Sequence, residues 1–542
     1  MKLLRLLRVG LLLSGILIVI LLLLLYFTTR GPYRDVAIDT TNPSKSSWGK
    51  ISQLKVGVGI QEITPDLARY DTWIDVDGDS SFDPKIDKYE DKNNNGKFDF
   101  VWLAGFNNSR PAQGVNDPLW SRSIAFRNNG VTIVLVSIDS VGITHERYLG
   151  IRERIKGLRN DINLISFAST HTHSAPDTLG LWSYKEFIGR KFDHDYMAFM
   201  EEKIIASVID AVDNLAPAKT TIAEAKVPIE NFSFDSRPPF IVDQKMPLAL
   251  FKNLRTDETI ATLASWGMHP EGFGPKFTKI SSDFVHYFRE AMEHGLDGKS
   301  DFKGFGGKSI FFTGPVGGLM TQLDIDITDR FGIKHGHDGK SKAQGENLAI
   351  LAYQALREQT VKKQGNMDFQ GIAFSAKTIY LPIGWPLKAA VALGLVHPGL
   401  YELPFKTKIK TEINAIRIGE IEIITSPGEM FPEIIDGGIE SPLGADIKTD
   451  PIEIPPLRQL MKGKINMNFN LGMDEIGYVI PITQWDRKKP YTYSYEEAPY
   501  GEIYIGDPNA SPELYKESVM LLERLHNTIA VSYTHLTLPT KA

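Results

Sequence analysis

The chain contains no cysteine, which excludes disulfides, thiolate metal sites and cysteine nucleophiles. Any transition metal must then be held by histidine, carboxylate or tyrosine. Long lysine or arginine runs are absent outside the N-terminus and the formal net charge over 542 residues is -6, so there is no electrostatic footprint for nucleic acid. No Gly-x-Ser-x-Gly elbow is present to carry a serine nucleophile. No internal repeat occurs at solenoid periods, and low-complexity sequence is confined to one apolar segment.

What is present bounds the class. With 42% hydrophobic residues and evenly spread charge, the chain can bury a large core in one big or two medium domains. Lys2, Arg5 and Arg8 precede an apolar run from Val9 to Phe27, long enough to cross a bilayer, and Arg30 ends it. Residues 1–30 therefore read as an uncleaved membrane anchor, with a cleaved signal segment as the competitor; no small-x-small cleavage site follows. Residues 31–52 form a polar linker. The basic flank places the remainder on the extracytoplasmic side, periplasmic or cell-surface, or secreted if the N-terminus is cleaved. The last stretch, Val531 to Ala542, resembles the translation of a sequencing adapter and is set aside from fold reasoning.

Residues 53–530 alternate strand and helix signals. Val131 to Asp139, Ile162 to Ala168, Ala261 to Trp266, Ser309 to Phe312 and Ile421 to Thr425 read as strands, while His145 to Leu158 and Tyr196 to Leu215 have helical apolar spacing. This order predicts an α/β fold, mixed β-sheets flanked by helices, as a single large catalytic domain after an N-terminal transmembrane helix. Several predicted strands run straight into turns rich in Gly, Pro or His, where α/β folds place their chemistry.

The most informative turn is Thr170-His171-Thr172-His173-Ser174-Ala175-Pro176. In extended backbone, residues two apart share a face, so His171 and His173 can both look into one cleft, as metal ligands or as ligand plus substrate contact. The metallo-β-lactamase signature His-x-His-x-Asp-His fails, because Ala175 and Pro176 stand where its acid and third histidine belong. Met268-His269-Pro270, Pro427-Gly428-Glu429 and Gly477-Tyr478-Val479 add a His, a Glu and a Tyr at or near strand ends. Between 71 and 100 an acidic insertion carries a local repeat: Asp75, Asp77, Asp79 and Asp83 are echoed sixteen residues later by Asp91, Asn93, Asn95 and Asp99. Alternate oxygen side chains in Gly-bearing loops suit a structural calcium ion, although neither copy has the twelfth-position Glu of a complete EF-hand.

Taken in this order, the motifs resemble the neutral ceramidase family over about Val56 to Gly501. Val58-Gly59-Ile60-Gln61-Glu62-Ile63-Thr64-Pro65 is similar to the family's opening segment, and Ala104-Gly105-Phe106 with Gln113-Gly114-Val115 to its approach to the sheet. The Thr-His-Thr-His-Ser-x-Pro heptad is the family's most specific motif. The resemblance implies a zinc site of His171, His269, Glu429 and Tyr478, with His173 orienting the substrate or stabilising its oxyanion. The turn that supplies the family's catalytic serine aligns with Gly314-Pro315-Val316-Gly317-Gly318-Leu319, which puts Gly317 at the catalytic serine position. The family's Ig-like C-terminal domain has no counterpart here. The implied activity is a zinc-dependent amide hydrolase in which zinc-activated water attacks an N-acyl, lipid-like amide. The alternative is an inactive metal-binding relative that binds a ligand.

Overall fold

The computed structural model describes residues 8, 10, 12–21, 23, 33–42, 48, 52–184, 193–298, 301–318, 320–337, 339–362, 371–384, 388, 400–401, 408–502 and 507–534. In chain order the main elements are β1 (Asp39–Thr41), β2 (Lys55–Glu62), β3 (Trp120–Asn128), β4 (Val131–Ile138), α1 (His145–Leu158), β5 (Leu164–Ser169), α2 (His194–Asp213), β6 (Ala216–Lys226), β7 (Lys245–Asn253), β8 (Thr259–Trp266), α3 (Phe284–His294), β9 (Lys308–Thr313), α4 (Lys340–Lys362), β10 (Ile372–Pro382), β11 (Lys408–Ile418), β12 (Ile421–Thr425), β13 (Ile465–Phe469) and α5 (Ala510–Thr534).

Eight strands form a mixed sheet in the order β9-β8-β7-β6-β2-β3-β4-β5, in which β8 and β9, and β4 and β5, run parallel. A second mixed sheet has the order β1-β10-β11-β12-β13, with Leu400–Tyr401 beside β11 and with β12 and β13 parallel. The two sheets share one core: Ile133, Leu135, Phe251 and Phe312 of the first pack with Phe374, Ile416, Ile423 and Phe469 of the second, and the rings of Phe312 and Phe469 stack 3.9 Å apart. Strand β4 shows why. Its period of two sends Ile133 and Leu135 to the second sheet and Val134, Val136 and Ile138 to the helical side, so the whole strand is apolar and buried. There α1 and α2 cover one half of the sheet, and α3 and α4 cover the other. Helix α5 packs through Leu514, Leu521, Leu522 and Leu525 on the outer face of the second sheet. The result is four layers, helix, sheet, sheet, helix.

This layering brings several strand ends to one edge. Thr313 Oγ1 donates to Thr170 O at 2.7 Å, Asn470 N to Thr313 O at 2.9 Å, and Ser426 N to Phe469 O at 2.8 Å. The carboxyl ends of β5, β9, β12 and β13 are thereby stitched together across both sheets, and the turns that follow them converge.

Among the described residues no helix is long and apolar enough to cross a membrane. The run Val9 to Phe27 lies in part outside the described residues; within it, residues 12–21 are helical and expose Leu, Ile and Val side chains. Helix α5 continues through Thr534, and residues 535–542 lie outside the described residues.

Candidate metal centre

Thr170-His171-Thr172-His173 leaves β5 through a sharply fixed turn. His171 takes a φ of +68°, a left-handed value that costs a side-chain-bearing residue on the order of 1–3 kcal/mol and persists only when its surroundings over-determine it. Here they do: His171 N donates to Ser140 O at 2.9 Å, and its ring Nδ1 lies 2.6 Å from Val141 O. His269, in the turn after β8, is held in the same way, with Nδ1 2.8 Å from Met320 O. A carbonyl can only accept, so each Nδ1 carries a proton, and Nε2 is the nitrogen free to bind a metal.

Both Nε2 atoms face one carboxylate. His269 Nε2 lies 3.0 Å and His171 Nε2 3.5 Å from Glu429 Oε2. Ligands about 2.0–2.1 Å from a tetrahedral ion stand roughly 3.3 Å apart, so the spacing is that of a coordination shell. Tyr478 completes the group through backbone register. The two-residue strands Glu429–Met430 and Tyr478–Val479 pair in parallel with Glu429 opposite Tyr478, and the phenol is within hydrogen-bonding reach of the carboxylate. His173 borders the set: one nitrogen each of His171, His173 and His269 lies within 4.8 Å of the others, and all three residues are buried.

The electrostatics describe a pocket with excess negative charge. Burial opposes ionisation of Glu429, but His171 and His269 outweigh it and hold the carboxyl well below its ordinary range. Burial likewise opposes charge on His171, yet Glu429 and Glu475 push it up to about 9. Burial and Glu429 raise Tyr478 well above the usual phenol value. Burial, then Glu429, raises Glu475 to about 8, and Glu475 Oε2 is buried without a hydrogen-bond partner. Two histidines latched through Nδ1 to backbone carbonyls, a buried carboxylate between them and an orphaned carboxylate oxygen fit a divalent cation, whose charge would take the place of the ring protons.

Gly317, the position implied for a catalytic serine, is placed differently from that role. Its N–H donates to Met430 O at 3.0 Å, and a Cβ there would sit 2.5 Å from Glu429 O and from Phe431 Cδ1. The glycine lets its turn lie flat against the strand that carries Glu429. Two further acids beside the cluster escaped the sequence reading. Glu475 lies three residues before Tyr478 in what looks like an ordinary acidic turn. Glu271 follows His269-Pro270, and its Oε2 lies 3.1 Å from His173 Nδ1. The His-Pro-Glu spacing was the only signal for it.

The acidic insertion also differs in detail. The carboxylates that converge are Asp75, Asp77 and Asp87, not Asp75, Asp77, Asp79 and Asp83. Asp79 and Asp83 instead accept from Ser81 N and Lys85 N within their own turns. Asp87 accepts from Val76 N at 2.9 Å and Asp83 N at 2.7 Å, while Asp71, sixteen residues earlier, accepts from Lys92 N at 3.0 Å and Asp99 N at 2.9 Å. The repeat is thus reciprocal, each loop being tied by an aspartate of the other half. In the second loop Asp91 caps Gly96 N, and Asn93 and Asn95 donate to Asp99.

No protein-family model and no curated protein sequence matches the chain. Solved structures do. The chain aligns with a crystal structure of neutral ceramidase from Pseudomonas aeruginosa at a TM-score of 0.59 and 15% identity, covering 90% of this chain and 76% of that one. A ceramidase complexed with C2 aligns at 0.57, with the same identity and coverage. The four-layer architecture is therefore the neutral ceramidase fold.

Proposed function

We propose that this chain, sharing the fold of neutral ceramidases, is a metal-dependent amide hydrolase acting on an N-acyl, lipid-like substrate, with zinc as its ion. One observation carries the reading: two histidines latched by Nδ1 to backbone carbonyls aim both Nε2 atoms at the same oxygen of Glu429, at 3.0 and 3.5 Å. His171, His269, Glu429 and Tyr478 would hold the ion. When bound, it would polarise a carbonyl and acidify water. The chain's own groups do the rest. His173, beside the set, contacts the substrate, and the packing of Phe106 against its ring at 5.0 Å fixes its plane. The lipid-amide class rests on the names of the structural neighbours.

Calcium in the 71–100 insertion belongs to the same proposal as a structural ion, with Asp75, Asp77 and Asp87 as its best-placed carboxylates. Anchoring through residues 1–30, with the domain extracytoplasmic, rests on the sequence alone; fractionation and protease accessibility in intact cells test it.

A second reading, a ligand-binding relative without turnover, is favoured by Gly317, where no side chain fits. Elemental analysis of the purified chain and of His171→Ala, with a screen of N-acyl amides, separates the two. The expected result is about one zinc per chain in the parent, its loss in the variant, and amide cleavage by the parent. Equal metal in both would overturn the site. Metal without turnover on any amide or ester would leave the binding reading.

A further inference from the structure

The chain enters its domain at the edge that carries the metal centre. Residues 33–42, which composition marks as linker, are bound along the second sheet: β1 pairs with β10 in the register Asp39↔Lys377 to Thr41↔Ser375, Ile38 N donates to Thr378 Oγ1 at 2.8 Å, and Asn42 N donates to Phe374 O at 2.8 Å. Followed back towards its start, this segment runs towards the site. β11 lies antiparallel to β12 and Asn414 N donates to Thr425 Oγ1 at 2.8 Å, so Lys410 lies beyond the carboxyl end of β12, on the side of the turn that carries Glu429. There Lys410 Nζ donates to Tyr33 O at 2.5 Å and to Val36 O at 3.0 Å. The Tyr33 phenol packs on Gly150 of α1, whose first residue, His145, donates its N–H to Asp474 Oδ1 at 2.9 Å, while Asp474 O accepts from Gly428 N beside Glu429.

Only Thr28 to Pro32 separates Tyr33 from Phe27, the end of the apolar run read as an anchor. That stretch spans at most about 22 Å when fully extended. From Lys410 to the far end of β11 is about 27 Å, so the tether reaches past the site edge but not to the opposite one.

The same edge exposes apolar rings. Phe234 lies in the short ribbon Phe234–Asp235, paired with Met320–Thr321, and Met320 O is the carbonyl that fixes His269. Asp235 closes the next turn by accepting from Arg237 N and Ile241 N, which presents Phe240, 65% exposed, with its ring 6.3 Å from that of Phe234. Tyr500, half exposed, packs its ring 6.0 Å from Tyr478. Leu181 is exposed next to Trp182, whose Nε1 donates to Phe106 O at 2.9 Å. Aromatic side chains with an apolar body and a polar tip settle at bilayer interfaces.

We propose that this edge is a membrane-facing surface, laid against the bilayer that holds the apolar run, so that a lipid-like substrate passes from the bilayer to the metal centre without crossing water. The inference rests on the anchor reading of residues 1–30. β1 sets the facing, because it is bound into the sheet and not free to swing, and Phe234, Phe240 and Tyr500 meet the lipid. A chain of net charge -6 gains no general attraction to anionic lipid, so contact depends on the tether and the rings.

The absence of cysteine makes the test direct. Phe240→Cys, Leu181→Cys and, at the opposite edge just before β13, Lys464→Cys each give the full-length chain one site for a nitroxide. In phosphatidylcholine vesicles, collisions of that label with oxygen and with a water-soluble nickel chelate report lipid against water. The oxygen-to-nickel ratio should be several-fold higher at positions 240 and 181 than at 464, in chains that float with the vesicles. Floating chains whose ratios at 240 and 181 are no higher than at 464 would overturn the proposal and leave the anchor standing; chains that stay in the aqueous fraction would overturn both. Low collision with both reagents, together with spin–spin broadening, would mean that a second copy covers this edge and would overturn the proposal as well.

Discussion

Replacing Gly317 by serine adds an atom where Glu429 O and Phe431 Cδ1 would each be 2.5 Å away, so it cannot simply supply a missing hydroxyl. Overpacking of this kind costs about 1–3 kcal/mol, and the strand that must yield carries Glu429, a proposed metal ligand. Gly317→Ser should therefore lower both the melting temperature and the zinc content, with no gain in amide cleavage; parental values for both by calorimetry and elemental analysis would contradict the packing argument. A second residue-scale prediction concerns Asp235, whose carboxyl burial raises to about 8 against the hydrogen bonds from Arg237 N and Ile241 N. Between about pH 4 and pH 8 the folded state keeps a proton that the unfolded chain has released, so stability falls as pH rises through this window. Denaturant midpoints should decline from pH 5 to 8, and less steeply in Asp235→Asn; equal slopes would show that Asp235 is not responsible. At this scale the sequence was informative where chemistry needs a rare side chain. His171, His269, Glu429 and Tyr478 were all legible as candidates and the fold brings them together. Glu271 and Glu475 were not legible, because an acid next to a turn is common and only tertiary packing shows that these two are buried.

The insertion at 71–100 shows what an element can hide. Its hairpin strands Thr72–Ile74 and Lys88–Glu90 pair with Trp73 opposite Tyr89, and Phe82 and Phe98 pack 4.9 Å apart inside an aromatic cluster with Phe100 and Trp102. Calcium should raise the melting temperature of the parent, and Asp87→Asn should abolish the rise as fully as Asp75→Asn. A full calcium response in Asp87→Asn would return the insertion to an ordinary acidic surface. Asp87 was missed because it lies past the Gly-bearing loop that it ties through Val76 N and Asp83 N, outside a single-loop motif. Elements with one clean periodicity were read well: α1 spans His145–Leu158 and β12 spans Ile421–Thr425, as expected. Strand β11 was given no reading: its Lys410, Glu412 and Asn414 are polar, yet all are buried, Glu412 by a bidentate pair with Arg152 of α1 at 2.6 and 2.8 Å, and Lys410 by Tyr33 O and Val36 O.

For the molecule as a whole, the candidate ligands come from both sheets: His171 and His269 follow β5 and β8 of the first, Glu429 and Tyr478 follow β12 and β13 of the second. An ion held there would tie the layers together. With calcium held in excess, a zinc-selective chelator should lower the melting temperature of the parent by several degrees and leave His171→Ala unmoved; a chelator effect of equal size in both would mean that the ion stabilises some other site. The α/β class was legible from alternating strand and helix signals, but the facing of two sheets was not, since period-two patterns say which residues are buried and not what buries them. The same arrangement sets an order of events. His171 and Glu429 are far apart along the chain and meet only once the strands bearing them have docked, a non-local contact whose loop-closure entropy must be met first. A metal bound there would therefore not guide the early collapse; it would read out its completion, acting as an inspector of the assembled sandwich, so that a misdocked chain would also be a chain without its ion.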